Sequence, residues 1–409
     1  MNNMHIPKPM NKRFWTPGTI ICVVLIFAGF LTAVLRFIFG IGTVTNLDDQ
    51  YPWGIWIAID VGCGVALAAG GFTASALAHI FHREHYKIIV RPAILTAMLG
   101  YTFVALGLMV DLGRYYNIWH PLLPSMWQGN SVLFEVGMCV ILYLLVLYIE
   151  FLPIVVERFK GKVSFSKARE KWNQPVEKLL RFLEATLSRV MFFFIIMGVV
   201  LSCLHQSSLG TLMLIANHKF HPLWNTPLLP FLFLCSAIMV GFPMVIFESM
   251  IASKSFRQKP EMHVLAPLSR IVPMIGLVYL ASKIIDIFIR EAYVYLFNGT
   301  LESTMWLIEV VVGVAIPVVM LLFKDVRKSP KMLFTAATLI IFGIIINRIN
   351  VFLVAYTPLY ATKAYFPTLG EIAVTVGLIS GLIFVYRLLV NNLPIISQPV
   401  TPADIMGDV

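Results

Sequence analysis

The feature that most constrains this chain is its series of uninterrupted apolar stretches, each about 20 residues long or longer. At 1.5 Å per helical residue, that length matches a hydrocarbon core of roughly 30 Å. The stretches lie at 18–39, 54–81, 92–111, 130–156, 189–204, 228–252, 264–289, 303–323, 332–352 and 370–390. Within lipid, only helices and closed barrels satisfy their own backbone polar groups, and runs of this length are helical. The expected fold is therefore an all-α integral membrane protein: one polytopic membrane domain over 1–409 with about ten transmembrane helices. Composition excludes a pair of soluble domains, since 59% of residues are hydrophobic and only 13% charged, against about a quarter charged in soluble domains. Pro17 to Phe39 is too long for the apolar region of a signal peptide, so it is expected to stay as the first span. The fifth stretch is the shortest, and its continuation toward Leu214 is left open.

The net charge of +10 is explained by topology before any acidic partner is invoked. The N-terminus and every second loop (1–17, 82–91, 157–189, 253–263, 324–331 and the tail from 387) hold 23 Lys and Arg, and the opposite loops hold 4. Basic residues stay on the cytoplasmic side of membrane helices. The alternation thus predicts a multi-pass protein of a bacterial inner membrane with both termini in the cytoplasm. The segment 157–188 reads as a solvated, partly helical cytoplasmic connector. Cys22, Cys63, Cys139, Cys203 and Cys235 each stand alone in an apolar span, which suits packing and not a cluster.

Ionisable residues within spans are costly and so mark function by default. Helix arithmetic places Asp60, Glu135 and Glu309 about six residues, or roughly 9 Å, inside the non-cytoplasmic end. Asp111, His205, Asp286, Arg348 and Glu371 lie near the same face, with Arg114, His120 and Gln206 just outside it. Trp53, Trp56, Tyr115, Tyr116, Trp119 and Trp127 are interleaved. Glu150, Glu248 and Arg270 lie toward the cytoplasmic end. Structural readings compete for several of these. Lys283, Asp286 and Arg290 are spaced for pairing along one helix face, and Trp53, Trp127 and Trp306 suit an interfacial belt. Asp60 and Glu135 have no ionisable neighbour within a turn on their own helix, so each needs a partner on another helix, a raised pKa or water. His205-Gln206-Ser207-Ser208 is expected at a helix end, where capping explains the serines but not the histidine.

A quinone needs an apolar slot, polar groups at its two oxygens and two protons on reduction. A histidine and a carboxylate near a membrane face supply the polar groups and the protons. A proton-coupled transporter also carries acids in its helices, but its site belongs near the bilayer midplane. The nine histidines are read as lying at or outside the span ends, so neither haem nor a metal is expected in this chain.

Several strings resemble a known family. They are Tyr51-Pro-Trp-Gly-Ile-Trp-Ile-Ala-Ile-Asp60, the Gly/Ala-rich run ending Ala69-Gly-Gly-Phe72, Asp111-Leu-Gly-Arg-Tyr-Tyr-Asn117, Asn130-Ser-Val-Leu-Phe-Glu135, Leu204-His-Gln-Ser-Ser-Leu-Gly210 and Tyr365-Phe-Pro-Thr-Leu-Gly-Glu371. In this order they resemble the NrfD/PsrC family of membrane subunits and, within it, those of Hyb-type nickel–iron hydrogenases. The resemblance implies a helical bundle that binds menaquinone or ubiquinone as substrate near its non-cytoplasmic face. It also implies a periplasmic ferredoxin-like iron–sulfur subunit as partner, and nickel–iron hydrogenase small and large subunits beyond it. The membrane subunit of another respiratory reductase or quinone reductase is the alternative.

Carried over by motif, the quinone site would comprise Trp53, Asp60, Asp111, Arg114, His120, Glu135, His205 and Gln206. His205 and Asp60 would bond or protonate the quinone oxygens, Glu135 would relay protons, and Arg114 would orient an acid or face the partner. Glu135, Glu150, Glu248, Arg270, Asp286, Glu309 and Arg348 are the candidates for a proton path. Gly62, Gly64, Ala68, Gly70 and Gly71 would let the second helix pack closely against its neighbours.

Overall fold

A computed structural model describes residues 5–163, 167–361 and 363–399. Among the described residues, ten helices are long and apolar enough to cross a membrane. They are α1 (Pro17–Phe39), α2 (Trp56–Ile80), α3 (Glu84–Asp111), α4 (Val132–Phe159), α5 (Glu170–Leu214), α6 (Leu229–Ser255), α7 (Met262–Ile289), α8 (Leu301–Leu322), α9 (Pro330–Val354) and α10 (Leu369–Asn392). Helices α2 to α5 form one group and α6 to α9 a second, while α1 and α10 pack along each other and against α3. Helix α2 is the most enclosed and touches α3, α5, α6, α9 and α10. Most residues of α1 are exposed, as suits an apolar helix with lipid on most sides.

Helix ends follow local chemistry. Thr16 caps α1 and Thr368 caps α10, each completing a reciprocal box with the residue three positions on. Ser131 and Thr300 cap α4 and α8. The small residues of α2 permit close approach as expected: a Cβ on Gly71 would come 2.4 Å from Ala97 Cβ, and one on Gly64 2.7 Å from Val104 Cγ2. Helices α8 and α9 cross at Gly313 and Gly343, where an added Cβ on Gly313 would lie 2.3 Å from the Gly343 Cα. One turn from that crossing on each helix stand Glu309 and Asn347, so the glycine contact sets their meeting.

The fifth span differs most from expectation. A continuous α-helix runs from Asn173 to Leu214, about 63 Å long. The second half of the anticipated connector, 173–188, therefore belongs to this helix, although 164–166 lie outside the described residues. Its polar half is held against α4 by Lys160–Glu184 at 2.5 Å and by the Gly161 amide donating to Glu177 at 3.0 Å. The helix also continues nine residues past His205, because Gln206 Nε2 finds an acceptor at the Val65 carbonyl, 3.0 Å away. His205 is thus inside a helix and not at its end.

Short strands β1 (His5–Pro7) and β2 (Ser397–Pro399) pair antiparallel. The Met10 amide donates to the Val390 carbonyl at 3.2 Å and Asn391 Nδ2 to the Lys12 carbonyl at 3.0 Å. Both terminal segments therefore lie together on one face of the helix array, the face carrying the basic loops. It is called the basic face below.

Candidate functional site

The acids expected in one layer are divided among three places. The first lies where α1, α2, α3 and α10 meet, on the face opposite the termini. The α2 backbone is π-helical from Trp56 to Cys63, a distortion frequent at functional sites, and Asp60 sits inside it. Asp60 is 8% exposed. Its Oδ2 accepts the Thr375 hydroxyl of α10 at 2.8 Å. Gly107 of α3 makes room, since a Cβ there would stand 3.2 Å from Asp60 Cβ. Asp111 lies one turn beyond Gly107 and within electrostatic reach of Asp60, Arg36 and Glu371. Its Oδ1 is buried without a protein partner.

Arg36 and Glu371 anchor this corner. Arg36 is 1% exposed. It donates from Nε to the Val110 carbonyl at 2.6 Å and from a terminal nitrogen to the Leu112 carbonyl, capping α3 with a charge of the favourable sign. Glu371 accepts the Thr368 amide at 2.9 Å, the Asn46 amide at 3.3 Å and the Tyr365 hydroxyl. Its own carbonyl accepts Trp56 Nε1 at 3.0 Å. Burial, and then Glu371 beside it, push the Tyr365 phenol above its ordinary range, so it remains a donor. Gly54 is required here, because a Cβ would lie 2.4 Å from the Tyr365 oxygen. The sequence places Glu371 near this face and Tyr365 in a family string, but it gives no role to Thr375, Tyr365 or Arg36; the T-x-x-E spacing of Thr368 and Glu371 is a further signal for this corner.

Asp60 lies at the head of an apolar groove of about 490 Å³. The groove runs between α6 and α10, with Gly64, Ala68 and Gly100 in its floor and Arg387 at its far end. Its lining on α10 runs from Leu378 to Arg387, nine residues or about 13 Å. Ile251, Ile379 and Ile383 on its rim are 45%, 49% and 52% exposed, so its long side opens outward between the two helices. Toward the basic end the wall carries Thr96, Glu248 and Tyr386. Glu248 and Tyr386 also wall a separate cavity of about 50 Å³ that includes Glu261. Burial raises the Glu261 carboxyl to about 7.

The second place is the interior of α3, α4 and α5. His205 is 0% exposed and its Nδ1 lies 3.3 Å from the Tyr101 hydroxyl. The Tyr101 and Tyr143 rings meet edge to face at 4.6 Å. His205 Nε2, Gln206 Oε1, Ser202 Oγ and Tyr143 Oη are buried with no protein hydrogen-bond partner. Glu150, 8% exposed, continues this polar column toward the basic face, lying against Gly198. The column does not join the Asp60 groove: none of its residues lines it. His205 and Asp60, expected in one site, are thus not brought to one cavity.

The third place is in the second group of helices. Glu309, in a π-helical stretch of α8, receives Lys283, Asn347 Nδ2 at 2.8 Å, Asn350 Nδ2 at 2.8 Å and Trp224 Nε1 at 3.0 Å. Four N–H donors match the lone-pair positions of a carboxylate. Lys283 thus pairs across helices and not with Asp286, contrary to the i, i+3 spacing. Asp286 does pair with Arg290 at 2.6 Å and accepts the Thr226 hydroxyl at 2.7 Å. Arg348 is 0% exposed, faces the Phe233 ring at 3.7 Å and donates to Ser236 Oγ at 2.9 Å.

The remaining expected site residues stand apart. Glu135 is on an exposed side of α4 and accepts the Ser208 hydroxyl at 2.5 Å. Arg114 is exposed, His120 packs edge-on to Trp119 at 4.5 Å, and Trp53 tilts against Tyr356 at 5.7 Å. Arg270 is exposed at the break in α7 and meets neither Glu150 nor Glu248 in a shared cavity. Among the described residues, no three His, Cys, Asp or Glu side chains gather as metal ligands. The close histidine pair, His85 and His263, lies ring to ring at 5.7 Å with His85 exposed. His205 faces a tyrosine. Neither arrangement presents two imidazoles across a haem-sized gap in the interior.

The family described as polysulphide reductase, NrfD, matches residues 43–359. A protein of Nitratidesulfovibrio vulgaris is 39% identical over 95% of this chain and 96% of its own length. The probable Ni/Fe-hydrogenase 2 b-type cytochrome subunit of Escherichia coli is 32% identical over 96% of this chain and 95% of that protein. The integral membrane subunit of menaquinone reductase from Nitratidesulfovibrio vulgaris is 27% identical over 88% of this chain and 86% of that protein.

Proposed function

The chain belongs to the NrfD family, and from that premise we propose that it is the quinone-reactive membrane subunit of a nickel–iron hydrogenase complex. The observation that carries the quinone reading is the Asp60–Thr375 pair at the head of an apolar groove open along its side. A lipophilic ring and tail fit the groove, and the carboxyl and hydroxyl suit a quinone oxygen. Reduction to quinol takes two electrons and two protons per ring. The electrons would come from an iron–sulfur partner docked on the face opposite the termini, and Asp60 would bond the quinone and pass it a proton. Asp111, within electrostatic reach of Asp60 and Arg36, would be the second acid beside it. The two named relatives, a hydrogenase subunit and a menaquinone reductase subunit, make hydrogenase the first reading and another quinone-linked complex the second. A b-type haem in this chain does not fit the histidine placement, so no step is assigned to one.

In this reading the basic face is cytoplasmic and protons enter from it. Glu261, Glu248 and Tyr386 line the cavity beside the groove, and Glu150, Tyr143, Tyr101 and His205 form the column inside the first helix group. Glu309 and Asp286 are held by several partners each and Arg348 by Asn347 and Ser236, and we assign them to scaffold. The test is donor-dependent quinone reduction by assembled complexes. Asp60→Asn should lower kcat/KM by a hundredfold or more, and Thr375→Val by about tenfold, with subunit assembly unchanged. Wild-type rates and quinone affinity in Asp60→Asn would overturn the assignment. Hydrogen as the effective donor separates the first reading from the second.

A further inference from the structure

The end of the groove farthest from Asp60 has a different chemistry, independent of the quinone reading. Arg387 lines it, packs over the Phe256 ring at 6.0 Å and donates from a terminal nitrogen to the Arg13 carbonyl at 2.9 Å. Its Nε is buried without a protein acceptor. Lys254 and Arg257 flank Ser255 and Phe256, which also line this end. Among the described residues, none of Arg13, Lys254, Arg257 and Arg387 has a carboxylate within ion-pairing distance. Glu248 shares the wall, but it lies seven residues before Ser255 on α6, about 10 Å deeper. A guanidinium with an unpartnered Nε, in a region that also carries Arg13, Lys254 and Arg257, stands at the mouth of an apolar channel whose rim is exposed at Ile379 and Ile383.

We propose that this mouth binds one anionic phospholipid, its phosphate on Arg387 with Arg13, Arg257 and Lys254 around it, and its acyl chain along the groove between α6 and α10. Basic pockets between membrane helices select such headgroups, at about a fivefold gain per basic residue. An acyl chain in the groove covers Ile383, which is 52% exposed on the rim. A quinone at Asp60 keeps its head at the other end and its tail leaves sideways past Ile379.

The test uses the full-length protein in nanodiscs of mixed phosphatidylglycerol and phosphatidylcholine, followed by detergent exchange and native mass spectrometry. The expected result is one retained phosphatidylglycerol per chain in excess over phosphatidylcholine. Arg387→Gln should reduce retention about fivefold and Arg387→Gln with Arg257→Gln further. Arg387→Lys should retain most of it, and Arg181→Gln, on the distant part of α5, should retain all. Equal retention of the two lipids by the wild type, a retained quinone with no phospholipid, or undiminished retention in Arg387→Gln would each overturn the proposal. The wild-type selectivity decides the matter even if a variant fails to fold.

Discussion

At the residue scale, the informative groups are those that a one-dimensional reading pairs wrongly. Spacing on α7 offered Asp286 to Lys283, yet Lys283 turns to Glu309 on α8, where it is joined by two asparagines and an indole. Breaking a buried pair on one side strands the other charge, which costs about 3–5 kcal/mol. Lys283→Met should therefore lower thermal stability in detergent strongly. Adding Glu309→Gln should restore part of it, because the amide oxygen still accepts from Asn347 or Asn350 while the stranded charge is gone. Additive losses in the double variant would show that the pair is not coupled. The same lesson applies to Asp60 and Glu135. A partner on another helix, a raised pKa or water was expected for each, and each has a hydroxyl from another helix, Thr375 and Ser208. Hydroxyl partners carry no charge pattern, so neither was legible in the sequence.

At the element scale, the helices were legible because a 20-residue apolar run has one stable conformation in lipid. Their limits were less so where polar residues continue a helix inside the protein. Helix α5 keeps its hydrogen bonding past His205 because α2 supplies a carbonyl to Gln206, and it extends backward because α4 supplies Lys160 and Gly161 to its acids. The crossing of α8 and α9 belongs to the same scale. Gly313→Ala should force backbones apart where a Cβ meets the Gly343 Cα at 2.3 Å, for a cost of about 1–3 kcal/mol or more. Gly137→Ala, at a position where a Cβ meets nothing within 4 Å, should be neutral. Folded yield by fluorescence-detected size exclusion measures both, and equal yields would contradict the crossing. The π-helical turns around Asp60, Glu309 and Asn350 had no sequence signal, since they arise from packing against neighbouring helices.

At the scale of the whole molecule, ten crossings put both terminal segments on one face, and β1 and β2 join them there. From the distribution of Lys and Arg we propose that this face is cytoplasmic. Reporter fusions after residues 163 and 328 should read as cytoplasmic, and fusions after 128 and 299 as periplasmic. The reverse pattern would invert the orientation and with it the side on which an iron–sulfur partner docks. The sequence by itself determined the number of spans, their alternation and the family, because hydropathy, charge bias and motif order are properties of the chain read in one dimension. Only the tertiary structure decided which acids share a site. It set Asp60 against Thr375 at the head of a groove, enclosed His205 with tyrosines elsewhere, and locked Glu309 in a cage. The physical reason is that lipid dictates where a helix lies along the membrane normal, whereas rotation about the helix axis is set by packing. An acid's depth can be counted from a span's end, but the direction it faces depends on glycines, hydroxyls and carbonyls supplied by helices far away in the chain.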